Sequence, residues 1–239
     1  MRVFLAGASG AIGRRLVPLL LRDGHAVTGM TRSAEKGEEL ARAGAAPAVL
    51  DVYDAAALMN AVQLAKPEVV IHQLTDLPHA FDQARIVAAY ASNARIRTEG
   101  TRNLLAAARA AGAGRFIVQS IAFAYPPGGE PHPESDSLNL SDPKRAVTVR
   151  GAADMEQQVL AAPAIAGLVL RYGLLYGPGT WYPTAAPKPA LHVDAAAQAA
   201  RLALTRGAPG IYNVAEDDGV VSIAKARAEL GFDPQFRLE

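Results

Sequence analysis

The sequence predicts an α/β fold built on a doubly wound parallel sheet, and three observations predict it. Short, near-continuous apolar runs alternate with helical patterns from the first residues onward, the signature of strands covered by helices on both faces. A glycine-rich turn stands between the first strand and the first helix. Two Pro/Gly-rich segments follow the fifth and sixth strands, beyond the strand ends where such sheets bind ligands.

Taken in order, "RVFLA" (2–6) reads as a strand and "AIGRRLVPLLLRDG" (11–24) as a helix closed by Gly24. Pro18 inside that helix removes one hydrogen bond and favours a kink. "AVTGMT" (26–31) is the second strand, followed by the polar helix "SAEKGEELARAG". "APAVLDV" and "PEVVIHQL" are strands three and four, separated by the short helix "DAAALMNAVQLA". A helical stretch from about Phe81 to Ala111 leads into the fifth strand, "RFIVQS" (115–120). "GLVLRYG" and "GIYNVA" complete seven strands. Right-handed crossovers then wind the sheet in both directions from its centre.

The bulk numbers exclude several classes. At 239 residues, the chain suits one domain over 1–239 with a small, reduced C-terminal substrate lobe. That lobe is expected from segments at about 121–147, 173–195 and 214–239. Net charge is +1, so no nucleic-acid or acidic-membrane partner is expected. The absence of cysteine removes disulfides, thiolate catalysis and Cys-based metal sites and fits a cytoplasmic protein. No apolar run approaches the ~20 residues of a membrane span. "MRVFLAG" enters a strand directly, so no signal peptide is expected, and Leu238 and Glu239 carry no weight. His72 reads as a buried strand residue, and His79 and His132 as exposed ones. No spacing of His with carboxylates suggests a metal. Neither a G-x-S-x-G elbow nor a P-loop occurs.

The turn "LAGASGAIGRRL" places Gly7, Gly10 and Gly13 as G-x-x-G-x-x-G between a strand and a helix. Gly7 allows the tight turn, Gly10 lets the backbone approach a pyrophosphate, and Gly13 lets the helix pack close on the sheet. With Ser9, Ala11 and Ile12 the loop and helix N-terminus form a dinucleotide site of Rossmann type. The end of the second strand, "MTRSAEK", has no carboxylate for a ribose 2′-OH. Instead Arg32, with Ser33 and Lys36 nearby, suits a 2′-phosphate, favouring NADP over NAD; the alternative is a solvated surface charge. Asp51 and Val52, after the third strand, either meet the adenine or, through Asp51, cap the following helix.

These motifs resemble the short-chain dehydrogenase/reductase superfamily in its extended, epimerase/dehydratase-like branch. The resemblance rests on "GASGAIG", "LDV", "VVIHQLT", "EGTRNLLAAARAAGAGRFIVQS", "LRYGLLYGPG", "HVDAAA" and "GIYNVAED". It implies that Leu74, Thr75, Ser120 and Tyr172 also line the cofactor. It also implies hydride chemistry driven by a Ser or Thr, a Tyr and Lys in Y-x-x-x-K, and an Asn on the long helix. Here the Tyr place falls on Thr148, the Lys place on Ala152, the Ser place on Ile121 and the Asn place on Arg97, with Asn93 one turn away. Glu156 matches a Glu frequent in the family.

Proton handling then falls to Tyr125, to a group on the substrate, or to water held by Ser120 and Thr148. Tyr172 and Tyr176 are further phenols after the sixth strand, and Trp181 with Tyr182 reads as a substrate-loop aromatic pair. His192 and Asp194 match the family's "HVD" and are expected to pin the C-terminal loop, with Asp194 capping the next helix. The expectation is an NADP(H)-dependent oxidoreductase acting on a small carbonyl, alcohol or sugar-like substrate. A non-catalytic NADP(H)-binding regulatory module is the alternative. "NLLAAARAAG" and "MEQQVLAA" offer small apolar faces for a homodimer.

Overall fold

The computed structural model describes residues 1–78 and 80–238; the expectation for His79 lies outside them. Seven strands, β1 (Arg2–Ala6), β2 (Ala26–Thr31), β3 (Ala46–Val49), β4 (Val69–His72), β5 (Arg115–Ile121), β6 (Ala166–Tyr172) and β9 (Gly210–Val214), form one parallel sheet. Its order is β3-β2-β1-β4-β5-β6-β9. The reversal of direction lies between β1 and β4, the switch point at which such sheets open a ligand crevice. A second sheet pairs two three-residue strands, β7 (Leu174–Tyr176) and β8 (Ala190–His192). It folds the second Pro/Gly-rich segment back over the end of β6, where the sequence reads only as a loop.

Two helical layers sandwich the large sheet. On one face α1 (Gly13–Arg22) and α8 (Val193–Leu202) bury Leu16, Leu20, Ala196 and Ala200 against Leu5, Ile71 and Leu168. On the other, α3 (Ala55–Ala65), α6 (Thr101–Ala110) and α7 (Ala146–Leu160) bury Leu58, Leu104, Met155 and Val159 against Phe4, Val70 and Phe116. A fully buried Leu or Phe side chain contributes about 1.5–3 kcal/mol by leaving water, so these residues fix the strand register. The apolar residues of "NLLAAARAAG" and "MEQQVLAA" are largely consumed in this packing within the chain.

Local chemistry sets the helix ends. Ser33 caps α2 (Ala34–Arg42), its Oγ accepting from the Lys36 amide. Asp54, not Asp51, caps α3 by accepting from the Ala57 amide at 3.0 Å. Asp51 turns back on its own loop and accepts from the Tyr53 amide at 2.9 Å. His192, not Asp194, caps α8, its Nδ1 accepting from the Asp194 amide. Pro18 sits exposed within α1, and the helix runs through it.

The predicted helical stretch over 81–111 is helical from Gln83 to Ala110: α4 (Gln83–Ala88) meets α5 (Tyr90–Arg95) at a turn, and a π-helical turn at Ile96–Gly100 joins α5 to α6 with the backbone helical throughout. His132 is buried, contrary to expectation, at 3% exposure. Its ring stacks on Tyr125 with centroids 4.8 Å apart, and its Nδ1 lies 2.8 Å from the Asp136 carboxylate. Its backbone also pairs with Val220 and Ser222, so groups remote in sequence cover it. Among the described residues no helix is long and apolar enough to cross a membrane, and no cluster of His and carboxylates forms a metal site.

Candidate active site

The glycine loop lies at the switch point. Gly7 has φ +90°, and a Cβ there would stand 2.8 Å from the carbonyl carbon and oxygen of Gln73 at the end of β4. A Cβ on Gly13 would meet the Gly7 carbonyl at 2.2 Å, so α1 can start against the turn only with glycine there. Gly10 donates its amide to the Gly7 carbonyl and closes the turn. The amides of Ala11, Ile12 and Gly13 have no acceptor among the described residues. They are the free donors that a pyrophosphate needs at a helix N-terminus.

Around this loop stand the other sequence-predicted cofactor residues. Ser9 Oγ lies 3.1 Å from Thr31 Oγ1. Arg32 is exposed, with Nη2 3.2 Å from the Asp76 carboxylate in a solvated pair that contributes little and is readily exchanged. Ser33 and Lys36 are half-buried at the start of α2. Val52 is buried beside the backbone of Gly100. Leu74 is half-buried and Thr75 exposed beyond β4, and the Leu74 amide donates to His72 Nδ1. Tyr172 is 1% exposed; its hydroxyl accepts from Gln73 Nε2 and donates to the Ala196 carbonyl. Burial pushes its pKa up.

The four places that the resemblance assigns to catalysis do not carry the expected chemistry. Ile121 and Ala152 belong to the apolar core on the α1–α8 face. Thr148 and Arg97 meet each other: Arg97 Nη1 donates to Thr148 Oγ1 at 2.7 Å and to the Thr148 carbonyl at 2.8 Å. A close helix contact makes this reach possible. Gly151, one turn along α7, lies so near α5 that a Cβ would come within 2.9 Å of Ala94. Arg97 itself sits in the π turn, an insertion often found at functional sites. Burial lowers its pKa to about 10, against the opposing field of Glu156. Asn93 is also buried, its Oδ1 accepting from the Asp76 amide, which ties α5 to the loop after β4.

Ser120 and Tyr125 are members of a buried polar network that sequence reasoning did not find. Ser120, fully buried, donates to Glu156 Oε1 at 2.5 Å. Arg171 grips the same carboxylate with two bonds, Nε to Oε1 at 3.0 Å and Nη2 to Oε2 at 2.7 Å. Arg171 Nη1 also donates to the Tyr125 hydroxyl at 2.6 Å, which in turn donates to Asn213 Oδ1 at 2.8 Å. Burial pushes the Tyr125 pKa up, only partly offset by Arg171. The clue in the sequence was slight: an Arg within the apolar strand "GLVLRYG" and a Glu on a buried helix face.

Aromatic side chains cluster between the loops that follow β4 and β7. Phe81 packs on Trp181 and Tyr182, with centroids 6.0 and 5.8 Å apart, and Trp181 Nε1 donates to the Pro78 carbonyl. The loop after β7 thus crosses to the loop after β4. Tyr176 is held by Glu216 and Arg237. Asp194 pairs with Arg15 at 2.5 Å and accepts from the Leu238 amide, so it does pin the C-terminal segment.

The sequence matches, over residues 3–190, the family described as NAD dependent epimerase/dehydratase. The chain belongs to that family. Members similar to it include the 3-diazoavenalumate denitrifying reductase of a Streptomyces species, 44% identical over 232 residues, spanning 96% of this chain and 72% of that protein. The dTDP-4-dehydrorhamnose reductase of Streptomyces griseus is 33% identical over 181 residues, spanning 74% of this chain and 51% of that protein. Among solved structures, the UDP-glucose 4-epimerase of Thermotoga maritima superposes with a TM-score of 0.81 at 19% identity, covering 99% of this chain and 94% of that one. A Thermus thermophilus UDP-glucose 4-epimerase in complex with NAD gives 0.79 at 21% identity, covering 100% and 95%. These structures share the fold. As a member of this family, the chain is an oxidoreductase- or epimerase-like enzyme with a Rossmann dinucleotide site.

Proposed function

We propose that this enzyme is an NADP(H)-dependent reductase that delivers hydride to an electrophile requiring no proton from the protein. The observation that carries the reading is a contrast within the chain. The glycine loop and its free amides are intact, while the places of Ser, Tyr and Lys hold Ile121, Thr148 and Ala152. Reduction of a carbonyl needs a proton on oxygen as hydride arrives on carbon, and no group in those places supplies one. Ser120 and Tyr125 are framework residues spent on Glu156, Arg171 and Asn213. Thr148 accepts from Arg97, and its aliphatic hydroxyl, with no lysine beside it, lacks the acidity of the phenol whose place it takes.

A diazo carbon meets the requirement. Hydride from C4 of NADPH forms the new C–H bond as the C–N bond breaks, its electron pair leaving with N2: R–N2⁺ + NADPH gives R–H + N2 + NADP⁺. Similarity to a denitrifying reductase of a diazo compound over 96% of the chain supports this substrate class. The aromatic side chains Phe81, Trp181 and Tyr182 support a flat, unsaturated body for it. For the cofactor, Arg32 at the end of β2, with no carboxylate on that strand end and only a solvated partner in Asp76, supports NADP.

The test is anaerobic incubation of the enzyme with NADPH and a ¹⁵N-labelled arenediazonium salt. Equimolar loss of NADPH, labelled N2 and the hydrogen-substituted arene are expected. NADPH oxidation of carbonyl compounds with no release of labelled N2 would overturn the reading.

A further inference from the structure

We propose that Arg97 anchors the substrate, its free guanidinium edge binding a carboxylate carried by the molecule that is reduced. This deepens the reductase reading and rests on it for the position of the reacting carbon.

Arg97 is 6% exposed, and only its Nη1 is engaged, with Thr148. Nε and Nη2, which form one planar edge, have no hydrogen-bond partner among the described residues, and no carboxylate lies within 4.0 Å of the group. Glu156 is near enough to act on it electrostatically, but its oxygens are taken by Ser120 and Arg171. A buried cation without a counter-charge is costly to fold around. The sealed and unpartnered polar atoms among the described residues are His72 Nε2, Gln73 Oε1 and Thr101 Oγ1. The two Arg97 nitrogens are not among them, so the free edge is not sealed from solvent.

The shape of this donor pair fixes the ligand chemistry. Two parallel N–H groups on one edge of a guanidinium match the two oxygens of a carboxylate. Thr148 holds the other side of the guanidinium and so fixes which edge is presented. The π turn and the close approach of Gly151 to Ala94 bring Arg97 to Thr148, the place that the resemblance gives to the proton donor. The cation that the family carries on α7 is thus replaced by one on the opposing helix. It is suited to holding a substrate anion because no phenol remains beside it to activate.

The experiment is calorimetric titration of the NADP⁺-saturated enzyme with benzoate, benzamide and inorganic phosphate, for the parent, Arg97→Gln and Arg97→Lys. A charge-assisted bond lost on binding predicts benzamide weaker than benzoate by about tenfold or more, and the same loss for benzoate on Arg97→Gln. Arg97→Lys recovers part of it, NADP⁺ affinity stays within about twofold because that site is built elsewhere, and phosphate does not compete. Equal binding of benzoate and benzamide, no benzoate binding by the parent, or full benzoate affinity in Arg97→Gln would each overturn the proposal. Should Arg97→Gln fail to fold, the benzoate–benzamide contrast in the parent and the behaviour of Arg97→Lys decide the matter. None of these readouts needs turnover. Arg97-dependent benzoate binding without N2 release would sink the reaction reading and leave this one standing.

Discussion

Replacing Glu156 by Gln tests whether Ser120 and Tyr125 belong to the framework. The carboxylate is 6% exposed and Arg171 5%, and three hydrogen bonds converge on it. Glutamine keeps the shape and one accepting oxygen but removes the counter-charge and turns a donor toward Arg171, leaving a buried guanidinium cation among neutral groups, the Tyr125 hydroxyl and the Glu134 carbonyl with them. Removing one member of a buried, hydrogen-bonded ion pair costs about 3–5 kcal/mol. That is a large part of the roughly 5–15 kcal/mol by which a domain is stable. At about 2–4 °C per kcal/mol for a chain of this size, the melting temperature should fall by roughly 6–20 °C. Thermal and urea unfolding followed by circular dichroism measure it. The double variant Glu156→Leu, Arg171→Met should recover most of the loss, because two apolar groups need no pairing. A Glu156→Gln protein melting within about 2 °C of the parent would refute the reasoning, since the pair would then contribute less than ~1 kcal/mol.

Other outcomes follow from the same geometry. Tyr125→Phe should lose about 1–1.5 kcal/mol of stability, one buried hydrogen-bonding hydroxyl, and leave the hydride-transfer rate within about twofold in single-turnover kinetics. Arg32→Ala should weaken NADPH far more than NADH in fluorescence titrations; equal loss of both would remove the phosphate role. Gly13→Ala should abolish binding of either dinucleotide, because the added Cβ meets the Gly7 carbonyl at 2.2 Å. Burial, with some help from Arg97, lowers the His72 pKa to about 3. The folded state therefore resists a proton that the unfolded chain accepts, so stability is full above the unfolded value of about 6.5 and falls as pH drops toward 3. At pH 5 the contribution is about 2 kcal/mol. Denaturation at pH 7 and pH 5 should show that loss in the parent and not in His72→Asn.

The sheet was legible because strands buried on both faces leave continuous apolar runs, and the cofactor turn because only glycine fits it. Gly7 and Gly13 face backbone oxygens at distances no side chain tolerates. The sequence leaves the cap of α3 open: Asp51 and Asp54 both precede the helix, and only the backbone path shows which one reaches an amide. The π turn within the helical stretch over 81–111 leaves no mark on the sequence because it alters the hydrogen-bond ladder, not the composition. His132 looked exposed because its cover comes from Tyr125 and from the segment around Val220. At the site, the sequence showed that the catalysts were missing but not what had taken their place. Arg97 and Thr148 lie 51 residues apart, and Arg171 meets Glu156 15 residues and Tyr125 46 residues away.

Hydride moving to the substrate without a proton from the protein leaves a signature in isotopes. The direct measurement is a single turnover of an arenediazonium salt with [4,4-²H2]NADPH in H2O, and with unlabelled NADPH in H2O and in D2O, with the arene analysed by mass spectrometry. Hydride transfer from C4 puts one deuterium in the product from the labelled cofactor, none from D2O with unlabelled cofactor, and gives a rate ratio between the two solvents of about one, as expected when no proton is in flight. Deuterium entering the arene from solvent, or a rate markedly slower in D2O, would contradict it.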